Sequence, residues 1–231
     1  MEAIVLAGGF GTRLRQVVPD LPKPMAPVAG RPFLAFLLEY LETQGIREVI
    51  LSVGYRHEVI REFFGTQYRS IILRYSIETE PLGTGGGLRQ SLELAPASPL
   101  FVINGDTFLK MDYQDMMRAH EASAAAITLA LRQVEDTSRY GAVEIQNDRI
   151  VRFIEKGDGG PGWINSGVYL LPADLFRPYD LPKVFSLEDD FLYPFIEQLQ
   201  PAAYCASDYF IDIGSPEEYQ RAQEELPKQM L

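Results

Sequence analysis

Four short apolar runs rich in β-branched residues punctuate the chain up to residue 131, and segments of helical period separate them. The runs are Ala3 to Ala7, Val49 to Val53, Leu100 to Ile103 and Ile127 to Leu131. They lack a strict apolar–polar alternation, which suits strands covered on both faces, as in parallel sheets of α/β proteins. Phe33, Leu34, Leu37, Leu38 and Leu41 predict a helix over 33–44, with Gly45 as its C-terminal stop. Further helices are predicted over 57–64, 88–94 and 114–122, and a strand over 71–77. Repeated β-α-β units of this kind predict a Rossmann-like α/β fold, a mostly parallel central sheet flanked by helices.

After about residue 135 the rhythm changes. Residues 141–145 and 150–154, joined by Gln146 to Arg149, read as a hairpin. The glycine-rich stretch 157–162 reads as a loop. A strand over 167–171, a helix over 187–198 and a strand over 209–213 follow. A last helix begins after Ser215-Pro216, with Ser215 as N-cap and Glu218 at N3. No linker or repeat divides the chain, so one domain is expected over 1–231. Its first part, 1–135, carries the parallel strands, and 136–231 adds a small antiparallel subregion over the sheet's binding edge.

Composition narrows the function classes. The 231 residues carry a net charge of −11, which argues against nucleic acid as a partner. A single cysteine, Cys205, excludes an internal disulfide, and two histidines leave no His-rich metal cluster. No apolar run approaches the roughly 18 residues of a membrane span. No basic leader or cleavage site precedes the first strand, and a cytoplasmic setting is expected.

Residues with chemical potential cluster at strand ends. The first strand runs into Gly8-Gly9-Phe10-Gly11-Thr12-Arg13, where glycines let backbone N–H groups approach an anion. It is neither a Walker A loop nor a complete dinucleotide fingerprint, and taken alone it is a tight turn. Arg13 adds bidentate phosphate geometry. Lys23, between Pro22 and Pro24, is held on an extended backbone; alone it reads as a surface lysine, with Arg13 as a second cation on one polyphosphate. Asp106 and Asp212 follow strands, where α/β ligands bind, and two carboxylates plus phosphate oxygens suit Mg²⁺. Each Asp alone reads equally as a turn former. A second glycine-rich element spans Glu80, Pro81, Leu82, Gly83, Thr84 and Gly85 to Gly87, and could pack backbone against a flat base. Glu155, Lys156 and Asn165 complete the polar set. His57 and His120 read as helix-surface residues, Cys205 as at least half-buried, and Phe63 and Met117 as core.

Leu6 to Leu14 followed by Pro22 to Val28 resembles the signature of sugar-1-phosphate nucleotidyltransferases. Glu80 to Thr84, Asn104 to Asp106, Glu155-Lys156, Asn165 to Gly167 and Phe210 to Tyr219 follow in the family's order. Residues 17–28 and 51–55 are most similar to the branch that transfers guanylyl groups from GTP to D-glycero-α-D-manno-heptose 1-phosphate. The resemblance implies a nucleotide-binding half, 1–135, and a sugar-binding, metal-completing half, 136–231. It makes Leu6, Gly8, Gly9, Gly11, Thr12, Arg13, Lys23, Glu80, Pro81, Gly83, Thr84, Gly105 and Asp106 the nucleotide site. Arg13, Lys23 and Asp106 would be catalytic, Asp106 and Asp212 would hold Mg²⁺, and Gly141, Glu155, Lys156 and Asn165 would meet the sugar phosphate.

Gly157 stands where family members usually have proline, which implies a differently shaped sugar pocket. The chain also has no room for the left-handed β-helix that some relatives append, so no acyltransferase activity is expected. Mannose-1-phosphate guanylyl transfer, uridylyl or cytidylyl transfer, and a catalytically silent nucleotide-sugar sensor stay open beside the heptose reading, as does self-association. A nicotinamide-dependent dehydrogenase is disfavoured by the incomplete fingerprint.

Overall fold

The computed structural model describes residues 1–9, 18, 21–95, 98–154 and 159–230. The chain opens with β1 (Glu2–Leu6), the short strands β2 (Pro27–Val28) and β3 (Arg31–Pro32), α1 (Phe33–Thr43) and β4 (Glu48–Val53). Next come α2 (His57–Phe64), β5 (Gln67–Tyr68), β6 (Ile71–Ile77), α3 (Gly83–Leu92) and β7 (Leu100–Asn104). Then follow β8 (Thr107–Leu109), α4 (Tyr113–Ser123), β9 (Thr128–Val134), the hairpin β10 (Ala142–Gln146) and β11 (Arg149–Ile154), and β12 (Gly162–Leu171). A short α5 (Ile196–Leu199), β13 (Ala202–Ala206), β14 (Phe210–Asp212) and α6 (Pro216–Glu225) complete the regular elements.

One ten-stranded sheet organises them, in the order β10-β11-β13-β9-β12-β7-β1-β4-β6-β5. Strands β6, β4, β1 and β7 pair in parallel. Residues of β1 alternate between the two faces: Ala3 and Val5 join one apolar cluster, and Ile4 joins the other. Both faces are therefore covered, which explains the unalternated runs. Beyond β7 the sheet is mixed. The ten-residue β12 inserts antiparallel between β7 and β9, and β9 pairs in parallel with β13. The hairpin β10–β11 continues this same sheet rather than forming a layer over it. Its turn residues Asn147 and Asp148 adopt positive φ, as a two-residue hairpin turn of matching twist demands.

Helix α1 ends as its sequence predicts. Gly45 takes φ +83°; its N–H donates to Glu42, and the Ile46 N–H donates to Leu41. The helix expected over 187–198 is instead a π-helical turn, Glu188–Leu192, followed by α5. Pro194 lies between them and has no N–H to continue a helix. Three side-chain expectations are also corrected. His120 is buried, because it falls on the α4 stripe with Tyr113 and Met116. Cys205 is exposed, on the opposite face of β13 from the buried Ala202 and Ala206. Phe63 is exposed beside the buried Phe64. Among the described residues, no helix is long and apolar enough to cross a membrane.

The His120 ring pairs through Nδ1 with the Thr128 hydroxyl at 2.8 Å, and burial pushes its pKa down. The unfolded chain therefore takes up a proton near pH 6.5 that the folded chain resists. This group's contribution is full above that pH and is lost as the pH falls. Urea unfolding of the wild type is expected to lose free energy between pH 7 and pH 5 relative to His120→Gln; parallel pH profiles would refute it.

Candidate active site

Two strands outside the main sheet bring distant acids together. β14 pairs antiparallel with β8, with Asp212 opposite Thr107 and Phe210 opposite Leu109. The Ile213 N–H donates to the Asp106 carbonyl at 3.0 Å, so Asp106 and Asp212 stand side by side. Lys23 opens the 3-10 turn Lys23–Met25, whose buried Pro24 and Met25 anchor it. Its Nζ lies 2.5 Å from Asp106 Oδ2 and 3.5 Å from Asp212 Oδ1. Asp212 Oδ1 also accepts the Gly214 N–H at 2.7 Å. A side chain at Gly214 would place its Cβ 2.8 Å from that carboxylate and 3.1 Å from Lys23 Nζ, so the close approach requires glycine. The Ser215 hydroxyl accepts from the Glu218 N–H and caps α6 as expected, leaving Asp212 to the cleft.

This cluster lies on the wall of an open cleft of about 1220 Å³. Leu6, Gly8 and Gly9, at the end of β1, line it, together with Glu80 and Pro81. Gly83 and Thr84, at the start of α3, also face it. Gly141 and Asn165 line it as well. Gly105 stands behind the wall, its N–H donating to the Leu6 carbonyl at 2.9 Å. Gly11, Thr12, Arg13, Glu155 and Lys156 lie outside the described residues.

The second glycine run packs closely against the chain's own Phe185 segment. A Cβ at Gly83 would lie 2.5 Å from the Phe185 carbonyl oxygen, and one at Gly85 would lie 2.2 Å from the Phe185 ring. The Gly85 N–H donates to that same carbonyl at 3.0 Å. The close approach assigned to a flat base is thus made, at Gly83 and Gly85, by the chain's own segment. Thr84 turns to the cleft, accepting from the Leu187 N–H at 2.8 Å and donating to Glu188 Oε2 at 3.2 Å. Glu188 Oε1 accepts from the Tyr169 hydroxyl at 2.7 Å, and that hydroxyl accepts from Asn165 Nδ2 at 2.9 Å. Asn165 is thereby fixed with its amide oxygen on the Gly167 N–H. Glu80 leans outward and pairs with Lys183.

Three cleft residues escaped the sequence reading. Glu78 follows β6 and is half-buried. Its Oε2 accepts from the Leu82 N–H at 3.1 Å. Its Oε1 sits within 2.7 Å of where a Gly8 or Gly87 Cβ would be. Burial pushes its carboxyl above the usual range. An acid at the end of a parallel strand is the same signal that flagged Asp106, and it could have found Glu78. Arg139, beside Tyr140 and Gly141, donates to Asp212 Oδ2 at 3.1 Å. Its only sequence signal was that neighbourhood. Glu188 carries no local signal, because its role depends on Thr84 and Tyr169.

A cleft at the carboxyl ends of parallel strands, with glycines on one wall and a lysine between two carboxylates, is built for phosphate chemistry. The chain matches the nucleotidyl transferase family over residues 2–229, and it belongs to that family. It is 45% identical to D-glycero-α-D-manno-heptose 1-phosphate guanylyltransferase of Aneurinibacillus thermoaerophilus, covering 98% of both chains. It is also 45% identical to the Campylobacter jejuni protein of that name, covering 95% of this chain and 97% of the relative. Among solved structures, HddC from Yersinia pseudotuberculosis, also determined in complex with GMP-PN, superposes with a TM-score of 0.84. The sequence identity is 37%, over 97% of this chain and 98% of that one.

The packing at Gly85 and the space at Gly9 predict opposite outcomes. Gly85→Ala forces the buried Phe185 ring to shift and is expected to cost about 1–3 kcal/mol in urea unfolding. Among the described residues, Gly9→Ala meets nothing within 4 Å, and it is expected to leave unfolding unchanged. Equal effects would contradict the assignment of the close approach to Phe185.

Proposed function

We propose that the protein condenses GTP with D-glycero-α-D-manno-heptose 1-phosphate, releasing pyrophosphate and GDP-heptose. The observation that carries this reading is Lys23 Nζ set between Asp106 and Asp212 at the cleft wall. The choice of GTP and of the heptose phosphate is supported by the two 45%-identical relatives, matched over nearly their whole length. On this reading the protein works in the cytoplasm, on two water-soluble anions.

The acceptor is a phosphate monoester with a second pKa near 6, so at neutral pH it is largely a dianion and needs no strong base. Among the described residues lining the cleft there is neither His nor Cys, and none is needed. One oxygen of the sugar phosphate attacks the α-phosphorus in line, and the bond to the bridging oxygen of the β-phosphate breaks. The protein's task is to hold two anions together and to offset charge growing in the transition state. Lys23 supplies a fixed positive charge for this, and Gly8 and Gly9 allow the triphosphate close to the backbone. Thr84 borders the nucleotide, and Gly141 and Asn165 border the sugar. Arg13 would join Lys23 on the phosphates, Glu155 would bind sugar hydroxyls, and Lys156 would bind the sugar's phosphate.

Asp106 and Asp212 fit a divalent cation. Both present hard carboxylate oxygens, and both already converge on one positive centre, the Lys23 amine. Mg²⁺ takes one or two protein carboxylates and completes its shell with phosphate oxygens and water. Bound by these two residues, it would polarise the phosphoryl oxygens.

Pyrophosphate release from each common nucleoside triphosphate, paired with heptose, mannose and glucose 1-phosphates, tests the reading. Release with GTP and the heptose phosphate is expected, and preference for another pair would discard these substrates. Lys23→Ala is expected to lower turnover on the order of 10²-fold or more; near-wild-type turnover would remove Lys23 from the mechanism. Asp212→Asn is expected to raise the Mg²⁺ concentration giving half-maximal rate, and full activity at limiting Mg²⁺ would sink the two-carboxylate site.

A further inference from the structure

Both oxygens of the Asp212 carboxylate are engaged by the protein's own groups. Oδ1 takes the Gly214 N–H and faces Lys23, and Oδ2 takes Arg139. Arg139 reaches it from the turn at residues 137–141, on the wall that carries Gly141, with its guanidinium 5.1 Å from the centre of the Tyr140 ring. Among the described residues it bonds only through Nη2, to the Asp212 carboxylate and, at 3.5 Å, to the Asp212 carbonyl. Nε and Nη1 have no described partner, and the residue lines the cleft. A guanidinium held by one nitrogen beside an open cleft keeps its planar fork available for a phosphate.

The charges make this arrangement exchangeable. Lys23 and Arg139 balance Asp106 and Asp212, so a divalent cation entering between the acids must displace one of the two side-chain cations. Lys23 has two carboxylates to hold it, at 2.5 and 3.5 Å. Arg139 has Asp212 and, more remotely, the exposed Glu217, whose carboxyl its charge helps to hold down. Arg139 is also 30% exposed, against 13% for Lys23.

We infer that Arg139 is an exchangeable partner of Asp212: it blocks the carboxylate in the free protein and moves to the phosphate of the sugar 1-phosphate when that substrate binds. The inference rests on the proposed reaction and adds a consequence to it. By linkage, sugar phosphate and divalent cation each tighten the other's binding through Arg139.

The test is a titration with Mn²⁺, followed by the electron paramagnetic resonance of the free ion, on wild type and Arg139→Met. Without substrates, Arg139→Met is expected to bind Mn²⁺ about fivefold more tightly than wild type, within the usual range of coupling between sites. Adding D-glycero-α-D-manno-heptose 1-phosphate is expected to tighten Mn²⁺ on wild type by a similar factor and to leave the variant unchanged. In steady state, KM for the sugar phosphate should rise about tenfold while KM for GTP stays within about twofold. Weaker Mn²⁺ binding by Arg139→Met would make Arg139 only an orienting group for Asp212 and overturn the exchange, as would equal tightening by the sugar phosphate in both proteins. Should Arg139→Met fail to fold, Arg139→Gln removes the charge while keeping a hydrogen-bonding head, and the same shifts in the same directions are required of it. Wild-type turnover tests the reaction itself, and the substrate-free titration stays readable whatever the sugar proves to be.

Discussion

The pairing of β8 with β14 is the contact on which the cleft depends. Three registered residue pairs and one further N–H, from Ile213 to the Asp106 carbonyl, join segments far apart in the chain. Without that ladder Asp106 would end a core strand with no second acid near it, and Lys23 would have a single partner. Phe108, Ile211 and Ile213 are fully buried beneath the ladder. The apolar core therefore fixes the spacing of the polar groups above it, and the acids are held by burial that they do not share.

The Lys23 side shows the same economy. Pro22 and Pro24 restrict its backbone, and the buried Met25 pins the turn. The next strand, β2, is tied to α6, where the Tyr219 hydroxyl and Gln223 Nε2 both donate to the Pro27 carbonyl. Since α6 starts four residues after Asp212, one helix steadies both the lysine's segment and the acid's strand. The cluster is thus preorganised by short covalent and hydrogen-bonded paths, which is what electrostatic catalysis requires.

What could be read from the sequence follows a physical line. Elements whose period is local were legible: β6 and α2 coincide with their predicted residues. Asp106, Lys23 and Asp212 were legible as strand-end or proline-framed groups, and their order along the chain carried the resemblance. Strand direction was not legible, because residues 127–131 are apolar on both faces whether the neighbour is parallel or, like β12, antiparallel. Pro194 and the α4 stripe of Tyr113, Met116 and His120 carry the signals of the broken helix and of the buried histidine, a missing N–H and an i, i+3, i+7 spacing. Arg139 and Glu188 lay beyond reach for a different reason. The partner of Arg139 sits 73 residues away and those of Glu188 sit 19 and 104 away, so only the assembled fold gives them a role.

The chain of hydrogen bonds from Thr84 through Glu188 and Tyr169 to Asn165 has a mechanical meaning. It runs from the start of α3 to β12 in the middle of the sheet, with Tyr169 fully buried at its centre. Two cleft-lining side chains, Thr84 and Asn165, are therefore tied to one another through a buried tyrosine. Neither side chain can turn without breaking a hydrogen bond inside the chain, so the two keep their positions as one linked unit.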